Sequence, residues 1–365
     1  MQALSFLVAN RGSTLTSELL QGRTSDFLVA NHRIFCYNLA MVNKSFWQKL
    51  SLDCARDLRP FFVLAPMADV TDPVFRQMVV KFGKPDVIYT EFVSADGLCS
   101  VGREKLAKHL SFTEAEKPIV AQLFGSRPEK MEEATRLVAQ LGFDGIDINM
   151  GCPDKSVEKQ GAGAALIKNP KLAREIMRAA KRGAPKLPLS IKTRLGFNQD
   201  ILEEWLPELL AEKPEAIIIH ARTRKEMSHV PARWNRIKDA VAIAKGSGVL
   251  IVGNGDVADL DDARKKAEET GCAGVMLGRA IFSNPFIFDE KKDWQRIGVE
   301  ERLKILLEHT KLYEKFWGNP RRFDTMKKFF KIYVSGFDGA VEMRGQLMEA
   351  KNYDETKKIA KKFKI

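Results

Sequence analysis

The sequence predicts an α/β fold, a (β/α)8 TIM barrel followed by a small C-terminal helical bundle. Three observations carry that reading. Eight short apolar runs rich in β-formers recur between residues 61 and 280, each followed by a loop and, between runs, by segments with apolar residues at three- and four-residue spacing. The eight units occupy about 220 residues, the scale of an eightfold barrel. After residue 286 the β-type runs almost cease and helical patterns take over. A doubly wound open sheet is the alternative. It would normally carry a GxGxxG turn after its first strand, where this chain has APMADVTDP.

In chain order the predicted strands are FFVLAPMA (61–68), DVIYTEF (86–92), PIVAQLFG (118–125), GIDINMGCP (145–153), LPLSIKTRLG (187–196), AIIIHAR (216–222), GVLIVGNGD (248–256) and GVMLGRA (274–280). Intervening segments such as 127–142, 170–183 and 259–271 end in glycine, as helix C-termini do. Segments 301–318, 321–337, 340–350 and 354–363 read as helices. Their Phe329, Phe330, Tyr333, Phe337 and Tyr353 interleave with basic residues, and rings at helical spacing read as core rather than as base-stacking platforms. Residues 1–40 carry FLVAN twice, at 6–10 and 27–31, with apolar stretches too short for the 7–15 residues of a signal-peptide core. The expected division is therefore a poorly structured N-terminal extension over 1–58 (Met41 being an alternative start), a barrel over 59–290 and a basic helical domain over 291–365.

The formal net charge of the 365 residues is +12, and its placement matters more than its size. Residues 41–290 are close to neutral at +3, whereas the last 75 residues hold 19 basic and 11 acidic side chains, a net +8. A basic appendage on a neutral body suits a polyanion-binding module. A lysine-rich solvated helical surface accounts for the charge equally well. Five scattered cysteines (Cys36, Cys54, Cys99, Cys152 and Cys272) with no CxxC pair argue against a disulfide scaffold and a cysteine zinc cluster, and fit a reducing, cytoplasmic setting. No apolar run approaches the ~20 residues of a membrane-spanning helix, and no feature marks an obligate protein partner.

Chemistry in a barrel gathers at the C-terminal ends of the strands. Polar or turn-forming residues stand at that end of all eight runs: Pro66-Met67-Ala68-Asp69, Glu91, Gln122, Asn149 through Cys152, Lys192 with Arg194, His220 with Arg222, Asn254-Gly255-Asp256, and Gly278-Arg279. Singly, each has a plain explanation: a small buried thiol, a core histidine, a snorkelling lysine, a tight turn. Their joint occurrence is the functional signal. The GNGD and GRA segments supply small residues whose N–H groups can approach a ligand closely, at the place where barrels hold a phosphate. Arg279 adds a charge-assisted fork there. Lys192 and His220 then face the other end of the ligand, and an ammonium beside the N1/O2 edge of a flavin would stabilise its reduced anion. Gln122 can donate and accept, as a pyrimidine-like N3–H and O4 edge requires. Pro66 to Ala68 offer a small apolar surface for a flat ring. His220 and the carboxylates lack ligand spacing, so no metal site is expected.

The ordered set PMADVTDPVFR, QLFG, INMGCPDKSVEKQGAGAAL, IKTRLG, HARTR, GNGD and GRA strongly resembles the tRNA-dihydrouridine synthases over residues 60–290, and the helical tail is placed like that family's C-terminal domain. The resemblance implies an FMN-containing barrel that uses NADPH, or NADH, to reduce the C5=C6 bond of uridine in tRNA. It implies that Pro66, Met67, Ala68, Gln122, Lys192 and His220 contact FMN and that Asn254, Gly255, Asp256, Gly278 and Arg279 hold its phosphate end. Cys152 is implied as proton donor to C5, Asn149 and Arg222 as substrate-facing groups, and 291–365 as the tRNA-binding part. Ala221 stands where the family commonly has Gly, a small departure. A thiol suits the acid role because it stays mostly protonated at neutral pH yet can donate. Loop 154–169, with Gly161 and Gly163 as hinges, is expected to close over the extruded base. Two other readings stay open: a flavin barrel reducing a free pyrimidine, as dihydroorotate-type enzymes do, and a non-catalytic RNA-binding barrel. The basic tail weighs against the first, and the intact cysteine, lysine and histidine set against the second.

Overall fold

The eight apolar runs fold as parallel strands. In the computed structural model, which describes residues 44–318 and 323–363, they are β1 (Phe61–Leu64), β2 (Val87–Tyr89) continued after a break by the two-residue β3 (Val93–Ser94), β4 (Ile119–Phe124), β5 (Gly145–Met150), β6 (Leu189–Arg194), β7 (Ala216–His220), β8 (Leu250–Asn254) and β9 (Gly274–Leu277). The order β2-β1-β9-β8-β7-β6-β5-β4-β3 closes on itself because β2 also pairs with β4. Counting β2 and β3 as one broken strand, this is a closed eight-stranded parallel barrel of the TIM type, with helices on its outside.

Strand side chains alternate between two buried layers, as a period of two requires. Phe61, Val63, Tyr89, Ile218, Val252 and Met276 belong to one cluster inside the barrel. Phe62, Leu64, Ile217, Ile219 and Ile251 belong to a second, larger cluster shared with the surrounding helices. Each such side chain contributes about 1.5–3 kcal/mol on burial, so slipping any strand by one residue would be heavily penalised. The same parity, continued upward, turns Gln122, Asn149, Lys192, His220, Asn254 and Gly278 inward. Register then sets them level with one another: Asn149 pairs with Lys192, and Arg194, His220 and Asn254 stand side by side on β6, β7 and β8.

A helix closes the opposite end. Phe46–Arg56 begins at Ser45, whose hydroxyl accepts from the Gln48 N–H and donates to Glu215. Trp47 is fully buried, its ring 5.6 Å from Phe61 and 6.5 Å from Tyr89, and Cys54 is buried beside it. Residues 46–56 are thus a packed helix, where the sequence reading expects a poorly structured extension over 1–58. Phe46, Leu50 and Cys54 form a stripe at helical spacing, and with Trp47 it packs against the N-terminal ends of the strands. Residues 1–43, including Met41 and the FLVAN repeat, lie outside the described residues.

The C-terminal helices (Val299–Trp317, Phe323–Met326, Phe330–Tyr333, Ala340–Glu349 and Tyr353–Lys362) share the outer cluster with the barrel. Phe329 stacks on Phe75 at 4.8 Å, and the Trp317 indole N–H donates to Asp72 at 3.0 Å. Asp72 also caps the helix Pro73–Phe82 by accepting from the Phe75 N–H. Phe329, Phe330 and Tyr333 are buried, so these rings are core. Lys328, Lys331, Lys357, Lys358 and Lys361 stay on the surface. Among the described residues no helix is long and apolar enough to cross a membrane.

Candidate active site

The C-terminal ends of the strands surround a cavity of about 680 Å³. Its wall includes Pro66, Met67, Phe92, Asn149, Cys152, Lys192, Arg194, His220, Asn254, Gly255, Asp256, Gly278 and Arg279.

Cys152 sits on the turn after β5, and that turn is clamped from three sides. The Asn149 side-chain oxygen accepts the N–H groups of Gly151 at 3.1 Å and Cys152 at 2.8 Å. Arg194 Nε donates to the Gly151 carbonyl at 2.7 Å. The Cys152 carbonyl accepts from the Ala164 N–H at 3.0 Å. Burial pushes the thiol pKa upward, so Sγ keeps its proton at neutral pH. The segment that follows differs from the expected lid. Residues 162–167 are buried, and Gly163 packs directly on Cys152: a Cβ there would lie 2.9 Å from the Cys152 carbonyl oxygen. Gly163 is thus a contact glycine rather than a hinge. The exposed part is the short helix Lys155–Lys159, tethered by the ion pair of Glu158 with Arg224.

Lys192 donates to the Asn254 side-chain oxygen at 3.1 Å, while the Asn254 amide donates to the Met276 carbonyl at 2.9 Å. Burial, and then the nearby Arg194, bring the Lys192 pKa down to about 8. His220 Nε2 accepts from Arg222 at 3.0 Å, which puts the ring proton on Nδ1. Burial, and then the charges of Lys192, Arg194, Arg222 and Arg279, lower its pKa to about 2, so the imidazole is neutral. Asp256 pairs with Arg222 and, at 2.9 Å, with Arg279, and the Arg222 hydrogen bond holds its carboxyl below the usual range. At Gly255 the φ of +125° and a Cβ position 2.9 Å from Ala232 and 3.1 Å from His220 leave room for glycine alone.

Eleven of the fourteen residues given a role by the resemblance reach the wall together: Pro66, Met67, Asn149, Cys152, Lys192, His220, Asn254, Gly255, Asp256, Gly278 and Arg279. Ala68 is exposed in the turn just outside. Gln122 is fully buried behind Asn149, with its amide bonded to Asp147 at 2.7 Å and to Asn149 at 3.0 Å. Arg222, expected to face the substrate, is only 2% exposed; its guanidinium is taken by the Val230 carbonyl, His220 and Asp256. Arg194, named with Lys192 at its strand end but given no particular role, also lines the wall; Phe92 in the wall and the buried Asp147 behind it are not singled out in the sequence reading. For Asp147 a signal existed, because GIDINM alternates and puts a carboxylate on the inward face beneath Asn149.

A closed parallel barrel with its polar groups gathered at the strand C-termini has the layout of a TIM-barrel enzyme. Residues 63–364 match the family described as dihydrouridine synthase (Dus), and the chain belongs to that family. It is 41% identical over 331 residues to the probable tRNA-dihydrouridine synthase 2 of Bacillus subtilis (strain 168), covering 88% of this chain and 97% of the relative. It is 40% identical over 331 residues to the probable tRNA-dihydrouridine synthase of Staphylococcus aureus (strain MRSA252), covering 88% and 96%. Among solved structures it is similar to histamine dehydrogenase from Rhizobium sp. 4-9, with a TM-score of 0.48 and 13% identity over 68% of this chain and 48% of that one. Morphinone reductase gives a TM-score of 0.47 and 12% identity, covering 63% and 84%.

Proposed function

We propose that the protein is a tRNA-dihydrouridine synthase, a flavin-dependent oxidoreductase that reduces the C5=C6 bond of uridine in tRNA with FMN and NADPH or NADH. The observation that carries this reading is the convergence of Cys152, Lys192 and His220 on one 680 Å³ cavity, in a chain of the dihydrouridine synthase family. The donor set fits FMN. Lys192 has two ammonium protons beyond its bond to Asn254, His220 retains an Nδ1–H, and Arg279 stands beside a glycine-lined end suited to a phosphate. Pro66 and Met67 give a flat ring an apolar neighbour.

The chemistry FMN supplies when bound is two-electron reduction at C6 of the uracil ring. Lys192 favours negative charge beside it. Neutral His220 can donate without adding charge, and Asp256 orients Arg279 toward the phosphate end. Cys152 Sγ holds the proton that C5 requires. Its burial keeps that proton in place at neutral pH, where a carboxylic acid in water would be ionised. Asn149 and Arg194 fix the turn, so the donor stays put while ligands exchange. The exposed lysines of the C-terminal helices would meet tRNA phosphates, a contact that weakens with salt.

The test is direct. Purified protein should show flavin absorbance and, with NADPH, form dihydrouridine in a transcribed tRNA but not in free uridine, as read by mass spectrometry. Turnover of free uridine with none on tRNA would overturn the reading.

A further inference from the structure

We propose that Asp147 and Gln122 are positioning residues that hold Cys152 in place through a buried hydrogen-bond chain of fixed polarity. The proposal rests on Cys152 as the proton donor.

The chain runs from the middle of the barrel to its mouth. Tyr89 and Ser190 hydroxyls lie 3.0 Å apart, and Ser190 Oγ donates to Asp147 Oδ1 at 2.7 Å. Gln122 Nε2 donates to Asp147 Oδ2 at 2.7 Å, and Asn149 Nδ2 donates to Gln122 Oε1 at 3.0 Å. The Asn149 oxygen then accepts the backbone N–H groups of Gly151 and Cys152. Tyr89, Ser190, Asp147 and Gln122 are fully buried, and Asn149 is 6% exposed.

An amide side chain keeps its shape when its oxygen and nitrogen exchange places, so packing alone does not orient Gln122 or Asn149. Asp147 does. Its Oδ2 can only accept, which forces the Gln122 NH2 toward it and the Gln122 oxygen toward Asn149. Asn149 must in turn present NH2 to Gln122 and oxygen to the Cys152 turn. A reversed Asn149 would set its NH2 against two backbone N–H donors, with little water to relieve the conflict. Burial raises the Asp147 pKa to about 7, but the polarity toward Gln122 survives protonation: the proton can sit on Oδ1, with Ser190 Oγ then accepting it and donating to the Ile146 carbonyl at 3.4 Å. A carboxylate in a barrel interior is costly. Here it fixes two amides and ends on the turn that carries the thiol.

The test reads the thiol itself. Purified holoprotein is treated with iodoacetamide, and alkylation of Cys152 is resolved by peptide mass spectrometry at about pH 6 and about pH 9, on either side of neutral titrations. Gln122→Leu cuts the chain. Gln122→Glu sets a second carboxylate against Asp147; at low pH a shared proton preserves the polarity, and at high pH two anions face each other. Adding Asp147→Asn to Gln122→Glu moves the charge by one position and restores every donor–acceptor match. Relative to wild type at each pH, Q122L, which removes both side-chain hydrogen bonds of Gln122 and leaves Asn149 free to turn, should be alkylated about tenfold faster at both. Q122E should match wild type at low pH and react about tenfold faster at high pH, and the double variant should match wild type throughout. Wild-type rates for Q122E at both pH values, or a double variant as fast at high pH as Q122E, would overturn the proposal even if Q122L fails to fold. Should this pattern hold while Cys152→Ser still reduces tRNA at full rate, the proton-donor reading fails and the positioning chain stands.

Discussion

Gly163→Ala distinguishes a glycine required by contact from one that serves as a hinge. Gly163 has a φ of +61°, a conformation that costs an L-residue about 1–2 kcal/mol. A Cβ would lie 2.8 Å from Val157 Cγ1, 2.9 Å from the Cys152 carbonyl oxygen and 3.3 Å from the Cys152 Cβ. Val157 can rotate away. The carbonyl can yield only by straining its 3.0 Å bond from the Ala164 N–H, worth about 1 kcal/mol net. With some overpacking the total is about 2–4 kcal/mol, or a melting temperature lower by roughly 4–16 °C. Gly161→Ala is the control. Its φ is +73°, but the nearest atom to its Cβ is the side chain of Ser126 at 3.4 Å, so only the backbone cost of about 1–2 kcal/mol applies. Thermal melts and dihydrouridine formation are measured for both. Gly163→Ala should lose stability and turnover together because the Cys152 backbone shifts, and Gly161→Ala should lose a little stability alone. Equal melting points and equal turnover in the two variants would refute the contact reasoning.

Cys152→Ala should leave flavin reduction by NADPH intact and lower uridine reduction by about 10²–10⁴, in single-turnover assays on tRNA; undiminished tRNA reduction would remove the thiol from the chemistry. Lys192→Met should weaken retention of the yellow chromophore during gel filtration, and full retention would count against its place beside the ring. Asp72 has its pKa raised from 3.8 to about 6, chiefly by burial. Its folded form therefore binds the proton more tightly, and the associated stability, complete at low pH, is lost as pH rises through about 6. The stability of Asp72→Asn relative to wild type should accordingly improve between about pH 4 and pH 6, and melting curves that stay parallel would contradict this. Charge reversal at Lys357, Lys358 and Lys361 should weaken tRNA binding and flatten its dependence on salt; unchanged binding would place the RNA elsewhere.

The barrel was legible because β-rich runs of the right length alternate with amphipathic segments, and because strand parity decides what faces inward. That parity carries Asn149, Lys192, His220 and Asn254 to one rim without further information. What a polar side chain meets when it arrives is not written in spacing. Gln122 stands at an inward strand position and Arg222 just beyond β7, yet their side chains are captured, by Asp147 and Asn149 in one case and by Asp256, His220 and the Val230 carbonyl in the other. Gly163 illustrates a different limit. A glycine forced by a neighbouring carbonyl and a glycine at a joint look alike in a string of letters. The helix Phe46–Arg56 gives little signal in sequence because its apolar stripe is only a few residues wide, interrupted by lysine, serine and aspartate.

That helix has one more implication. Among the described residues Trp47 stoppers the base of the cylinder, and the rim is the open end. On the proposed function, a cofactor lodged beneath the rim would depart by the route along which the RNA arrives, so a docked RNA would hold it in place. Chromophore loss, followed by fluorescence, should slow markedly once the rim is saturated with tRNA.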